Sequence, residues 1–292
     1  MPNLPTNKQK PMTLTALRDA VTQQLTVAAI PTPDLDARWL IEDLLDLGHA
    51  VWIQGPDYTL SDEQVTRVMG AAQQRASHVP LARITGHREF WGLRFGLNDA
   101  TLEPRPDSET LIEQALRIIP DQGAPLSILD LGTGTGCLLL SLLYEYTLAR
   151  GLGIDLAPRA IQQAKRNAKS LNLDQRAIFQ TGHWLKGIGG KFDLIISNPP
   201  YIATSVLPTL MPEVREHDPM LALNGGGDGL DPYRLLIPQL KNFMNENAAV
   251  IFEIGFDQAE AVSDLLNKCG FQNITITKDL GGQDRCVSSC LR

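Results

Sequence analysis

No stretch of the 292 residues is apolar for long enough to cross a bilayer, and residues 1–12 lack the apolar centre of a secretion signal. The sequence therefore predicts a cytoplasmic chain with no membrane partner. An excess of positive charge is missing as well: the formal net charge is −7, which offers no overall electrostatic footprint for nucleic acid. Cysteine is scarce and scattered, at Cys137, Cys269, Cys286 and Cys290. The last two have no second ligand pair or histidine beside them, so reduced structural thiols are expected and no metal. Residues 1–12, polar and rich in proline, read as a disordered tail.

What is present divides into two parts. Leu14, Leu17, Val21, Leu25 and Ala28 recur at helical spacing, Asp34 reads as the N-cap of a second helix over 35–47, and Ser61 with Gln64 forms a capping box for a third helix running to about Ser77. This predicts a helical domain over 13–79 that serves substrate recognition or packing. A β-hairpin rich in aromatics and glycine is expected to connect the domains over 80–102. From 103 to 292, strands alternate with helices and end in two strands with no helix between them, which predicts an α/β domain with a mostly parallel sheet and one reversed strand.

Within that second part, three stretches carry chemistry. Ser127 to Leu131 reads as a buried strand, and Gly132-Thr-Gly-Thr-Gly136 opens directly into a helix, an arrangement that brings backbone close to a ligand. The GxGxG spacing departs from the dinucleotide fingerprint, which disfavours a nicotinamide cofactor. Asp155 ends the next strand at the distance where an acidic residue binds ribose hydroxyls, with helix capping as its alternative role. Trp184, at the end of a further strand, can stack on an adenine ring or serve as core.

The third stretch is a buried strand, Leu194 to Ser197, stopped by Asn198-Pro199-Pro200-Tyr201. The prolines stiffen the exit from the strand, Asn198 offers an acceptor and a donor, and Tyr201 a flat face, together a slot for a planar NH2 group. Arg105, between Pro104 and Pro106, is held in an extended loop beside this domain, and Asp107 or Ser108 is expected to cap the following helix. The long segment 202–231, with glycines from Gly225 to Gly229, sits where a lid over the slot would lie.

The tetrapeptide resembles the signature of S-adenosylmethionine-dependent methyltransferases acting on amide or exocyclic amino nitrogens. Together with residues 81–91, 104–109, 130–136 and 226–234, it makes the chain similar to the peptide-chain release factor glutamine methyltransferases, the HemK/PrmC family. The resemblance implies a seven-stranded, Rossmann-like methyltransferase domain behind a small helical domain. It also implies N5-methylation of the glutamine in the Gly-Gly-Gln motif of release factors 1 and 2 by a monomer. By that resemblance Gly132, Thr133, Gly134, Thr135, Gly136, Asp155, Trp184 and Asn198 would hold S-adenosylmethionine and release S-adenosylhomocysteine. Asn198, Pro199, Pro200 and Tyr201 would hold and activate the glutamine, with Arg105 a further substrate contact. His183 stands where the family usually carries an acidic residue.

An amide nitrogen is a poor nucleophile, so the expected mechanism has the Asn198 side-chain carbonyl and the Pro199 backbone carbonyl accept its two hydrogens while Tyr201 packs on the amide plane. Two related activities share the slot: glutamine methylation of a ribosomal protein, and adenine-N6 methylation of nucleic acid, the latter disfavoured by the acidic composition. A non-catalytic binding module would not need loop, acid and slot together. The chain's own Gly281-Gly282-Gln283 reads as a turn.

Overall fold

The computed structural model describes residues 11–55 and 58–291. Residues 1–10 of the expected disordered tail lie outside the described residues. The chain forms two compact units that divide between Thr85 and Gly86.

In the first unit, α1 (Leu14–Val27), α2 (Pro33–Leu44) and α4 (Asp62–Ala76) bury one apolar stripe each, with Leu17 and Val21 meeting Ala37, Ile41, Val68 and Ala72. The Ser61–Gln64 capping box forms as expected. Asp34 is not the cap of α2. Pro33 already takes the first helical position, so Thr32 precedes the helix and its hydroxyl donates to Asp36, while Asp34 sits in the first turn. Asp36 in turn pairs with Arg75 at 2.7 Å, both nearly buried. A short helix, α3 (Val51–Gln54), was not anticipated.

The hairpin is shorter than its sequence suggested. Leu81–Thr85 is helical (α5), because Pro80 presets the first turn and its carbonyl accepts from Ile84. Gly86, at φ +80°, ends it. Strands β1 (His87–Phe90) and β2 (Leu93–Gly96) then pair across Trp91 and Gly92, both with positive φ as a two-residue hairpin turn demands.

The second unit is built on a seven-stranded sheet of β3 (Ser127–Leu131), β4 (Arg150–Asp155), β5 (Ala177–Thr181), β6 (Phe192–Ser197), β7 (Met244–Glu253), β8 (Gln272–Lys278) and β9 (Asp284–Cys290). The order is β5-β4-β3-β6-β7-β9-β8, and β9 alone runs antiparallel to its neighbours. Side chains alternate between two cores. Ile128, Leu194, Ile196 and Ile251 face α6 (Glu109–Ile118), α7 (Cys137–Glu145) and α8 (Pro158–Ser170). Leu129, Ile195, Val250 and Phe252 face α11 (Asp231–Leu236) and α12 (Ala259–Lys268).

One further helix start differs from the sequence reading. Asp107 does not cap α6, and Ser108, at its N-cap position, makes no side-chain capping bond; a 3-10 turn over Pro106–Ser108 leads into the helix instead. The helix that begins at Asp231 is α-helical only to Leu236, because Pro238 has no N–H for the Arg234 carbonyl, and it continues as a 3-10 helix over Ile237–Phe243. Segment 202–231 contains short helices α9 (Pro212–His217) and α10 (Met220–Leu223). Gly281 to Gln283 forms the turn between β8 and β9, with Gly282 at φ +80°.

Candidate active site

The order of the sheet reverses between β3 and β6: the chain runs outward through β4 and β5, then returns to the other side of β3. Ligands in open α/β sheets bind at the carboxyl ends of such a pair. Here the glycine turn follows β3 and Asn198 follows β6, with Leu131 and Ser197 in register. A cavity of about 570 Å³ opens over these two ends.

One side of the cavity is backbone. Gly132, Gly134 and Gly136 all have positive φ, at +75°, +54° and +80°, which is why glycine recurs at every second position. The Gly132 and Thr133 amides are tied to the Ile154 carbonyl at 2.9 Å each. Asp155 bridges the turn to the next helix, accepting from Gly134 N on one oxygen and Ala157 N on the other, both at 2.8 Å. Burial raises its pKa, and the amides of Ala157, Gly134 and Leu156 partly offset that. Against those three donors the carboxylate has about four acceptor sites, so a ribose hydroxyl remains within its capacity. The Trp184 indole lies over Gly132, with a Cβ built there 3.5 Å from the ring, and Trp184 itself is held at φ +53°. His183 is exposed at the cavity edge and packs edge-on to that ring at 6.4 Å.

The other side is a side-chain assembly. The Asn198 amide donates to Ser108 Oγ at 3.3 Å. Tyr201 does not line the cavity; its hydroxyl donates to Glu253 Oε1 at 3.3 Å, and burial raises its pKa. Pro199 and Gly136 are likewise buried behind the lining, whereas Gly132, Thr133, Gly134, Thr135, Asp155, Trp184, Asn198, Pro200 and Arg105 face the cavity. Arg105 pairs at 2.5 Å with buried Asp218, which lies between α9 and α10. That ion pair ties segment 202–231 to the 103–108 loop.

The glycine-rich segment packs directly on the Asn198–Tyr201 turn. A Cβ on Gly225 would stand 2.6 Å from the Pro200 carbonyl oxygen, and one on Gly229 2.2 Å from that of Tyr201. Gln258 Nε2 donates to the same Tyr201 carbonyl at 3.0 Å, and Gly225 N donates to Ile202 O at 2.9 Å.

Three polar residues of the site escaped the sequence reading. Ser108 was read as a helix cap and Gln258 was not singled out. Glu253 carried a usable signal, an acidic residue ending the buried run of β7. It is 1% exposed, and burial pushes its carboxyl up to about 7, with Ser108, Arg285 and Tyr201 pulling the other way. Asp130, on β3 below the glycine turn, is also pushed by burial to about 7; Thr133 donates to one oxygen and the other has no partner among the described residues.

Residues 16–86 match the PrmC N-terminal domain family, and residues 123–253 match a methyltransferase domain family. A methyltransferase from Pyrococcus furiosus has the same fold, with a TM-score of 0.50 at 15% identity over 79% of this chain and 98% of its own. The release factor glutamine methyltransferase of Caulobacter vibrioides is 39% identical over 94% of this chain and 96% of its own length. That of Agrobacterium fabrum is 42% identical over the same shares. With that identity extending over 94% of the chain, the chain belongs to the release factor glutamine methyltransferase family.

Proposed function

We propose that this chain transfers a methyl group from S-adenosylmethionine to the N5 amide nitrogen of the glutamine in the Gly-Gly-Gln motif of peptide-chain release factors 1 and 2. The observation that carries this reading is one cavity bounded by the glycine turn, Asp155 and Trp184 on one side and Asn198 on the other. It acts as a cytoplasmic monomer, and no helix of the described residues is long and apolar enough to cross a membrane.

The residues present suit the cofactor. The glycine turn offers open space beside Gly134, Asp155 has acceptor capacity left for a ribose hydroxyl, and the Trp184 indole offers a face for adenine. When bound, S-adenosylmethionine supplies an electrophilic methyl group. The protein's own part is orientation. Asn198 Oδ1 accepts a hydrogen of the glutamine amide, turning its nitrogen toward the methyl and gaining strength as positive charge develops there. The Arg105–Asp218 pair holds segment 202–231 over the slot.

The test is transfer of labelled methyl from S-adenosylmethionine to purified release factor, beside a factor whose Gly-Gly-Gln glutamine is alanine, with ribosomal protein and DNA in parallel. Label on the wild-type factor alone is expected. Label only on ribosomal protein or DNA would reassign the substrate.

A further inference from the structure

The turn between β8 and β9 reads Leu280-Gly281-Gly282-Gln283, and all four residues are exposed, Leu280 completely. Gly282 has a local cause, since its φ of +80° opposes a side chain. Gln283 has no such cause. The fold uses only its backbone: its amide donates to Asp279 Oδ1 at 3.0 Å, and its carbonyl accepts from Asp279 N at 2.9 Å. The Gln283 side-chain amide has no hydrogen-bond partner among the described residues. A projecting turn thus displays the same tripeptide as the acceptor proposed above and leaves its primary amide to solvent.

The turn is also firmly closed. Gly282 N donates to the Asp279 carbonyl at 2.9 Å, Lys278 Nζ donates to the Gly282 carbonyl at 3.1 Å, and buried Asp279 is held by Arg285 Nε at 3.0 Å. A turn already closed loses little conformational freedom when it docks. The same closure keeps it out of its own slot, because Gln283 does not line the cavity and its backbone is bonded on both sides to Asp279. A slot that receives it belongs to a second copy. The mouth of that slot suits the turn: Leu156, Leu221 and Leu235 line the cavity yet are exposed, an apolar rim for Leu280, which stands three residues before Gln283. Gly281 and Gly282 between them bring no side chain to obstruct a close approach of backbone.

We propose that Gln283 is itself a methylation site of this chain, modified at its side-chain nitrogen by a second copy. The proposal rests on the functional reading above. The Gln283 nitrogen forms a bond to the methyl carbon, and the carbon–sulfur bond of S-adenosylmethionine breaks with its electron pair staying on sulfur. One proton of that nitrogen passes to water. The two copies meet as enzyme and substrate, so the rate per chain rises with concentration.

The test uses the full chain and labelled S-adenosylmethionine without release factor, with an Asn198→Ala copy of distinguishable mass as acceptor for a limiting amount of the unaltered chain. Peptide mass mapping is expected to place one methyl on Gln283 of the Asn198→Ala copy. Its initial rate should be proportional to acceptor concentration and about 10- to 10³-fold below that for release factor, whose remote contacts the turn lacks. Gln283→Ala should abolish the label and still methylate release factor within twofold of the unaltered chain. The proposal is overturned if label falls on another residue, or if the rate per chain does not change on dilution. It is overturned as well if Gln283 stays unmethylated while release factor is methylated in the same preparation, an outcome that leaves the functional reading standing; methylation of neither protein removes both. Should the Asn198→Ala copy not fold, dilution of the unaltered chain alone decides.

Discussion

The β3–α7 turn and the turn after β6 stand at adjacent strand ends, but they are held by different means. The first is held by its own backbone: three glycines at positive φ, two amides on the Ile154 carbonyl, and Asp155 reaching from the next strand only 21 residues from Gly134. The second has two prolines and is braced from outside by Ser108, Glu253, Gln258 and the glycines of 225–229, which lie between 24 and 90 residues away. Backbone geometry suits a cofactor that is the same in every turnover. A side-chain assembly suits an acceptor group whose hydrogen-bond polarity must be specified.

The largest effect expected from this contrast is at Asn198. Asn198→Ala removes the acceptor that strengthens in the transition state, and turnover should fall about 10²- to 10³-fold, the range seen when one such polar contact is deleted. Cofactor affinity, set on the other side, should change by less than about threefold. Single-turnover kinetics and equilibrium titration with S-adenosylhomocysteine read the two separately. Equal losses would erase the distinction between the two sides.

Next in size is Gly229→Ala. The added Cβ would lie 2.2 Å from the Tyr201 carbonyl oxygen at a φ of +80°, so both backbone strain and overlap oppose it. Loss of about 2–4 kcal/mol of stability is expected, with activity falling as the Asn-Pro-Pro-Tyr turn shifts. Chemical denaturation checks the first and turnover at saturating substrate the second.

The two sides share one feature, which gives a smaller test. Asp130 lies beneath the glycine turn and Glu253 beneath the acceptor slot, each pushed by burial to about 7 from ordinary values of 3.8 and 4.5. With the folded value raised, the native chain binds more protons than the unfolded chain between about pH 4 and 7. These groups therefore stabilise most at the acid end of that window, and their contribution is lost as pH rises through 7. Asp130→Asn and Glu253→Gln should each flatten the fall in stability between pH 5.5 and 8, by roughly 1–3 kcal/mol. Urea denaturation at the two pH values measures it. A steeper fall in either variant would mean that its carboxylate is stabilised in the charged form.

The same contrast explains what the sequence made legible. The glycine turn, Asp155 and the reversed strand could be read because their causes are local: a strand, a turn and a helix in succession, and two terminal strands with no helix between. Ser108 and Glu253 could not be read together, since only the pairing of β6 with β7, and the approach of the 106–108 turn to both, brings them to Asn198. Tyr201 was read correctly as part of the turn, but its ring packs among core residues and its hydroxyl serves Glu253, an orientation that depends on β7. The Asp34 cap failed for a different reason: Thr32 and Asp34, on either side of Pro33, were both chemically able to start α2, and Pro33 decided between them.

The smallest stability effect is expected at Gly134, and it sharpens the comparison with Gly229. Both are at positive φ, but a Cβ on Gly134 would meet no protein atom within 4 Å. The cost of Gly134→Ala is then conformational only, about 1 kcal/mol, roughly a few degrees in Tm. The space that the methyl would enter belongs to the cavity, so it falls on the ligand instead of the fold. Affinity for S-adenosylhomocysteine should drop by about tenfold or more, whereas Gly229→Ala should unfold more easily and leave that affinity nearly unchanged. Isothermal titration of the two variants decides it: a Gly134→Ala chain that binds normally would place the cofactor away from the glycine turn, and the division of the cavity into a backbone side and a side-chain side would lose its functional meaning.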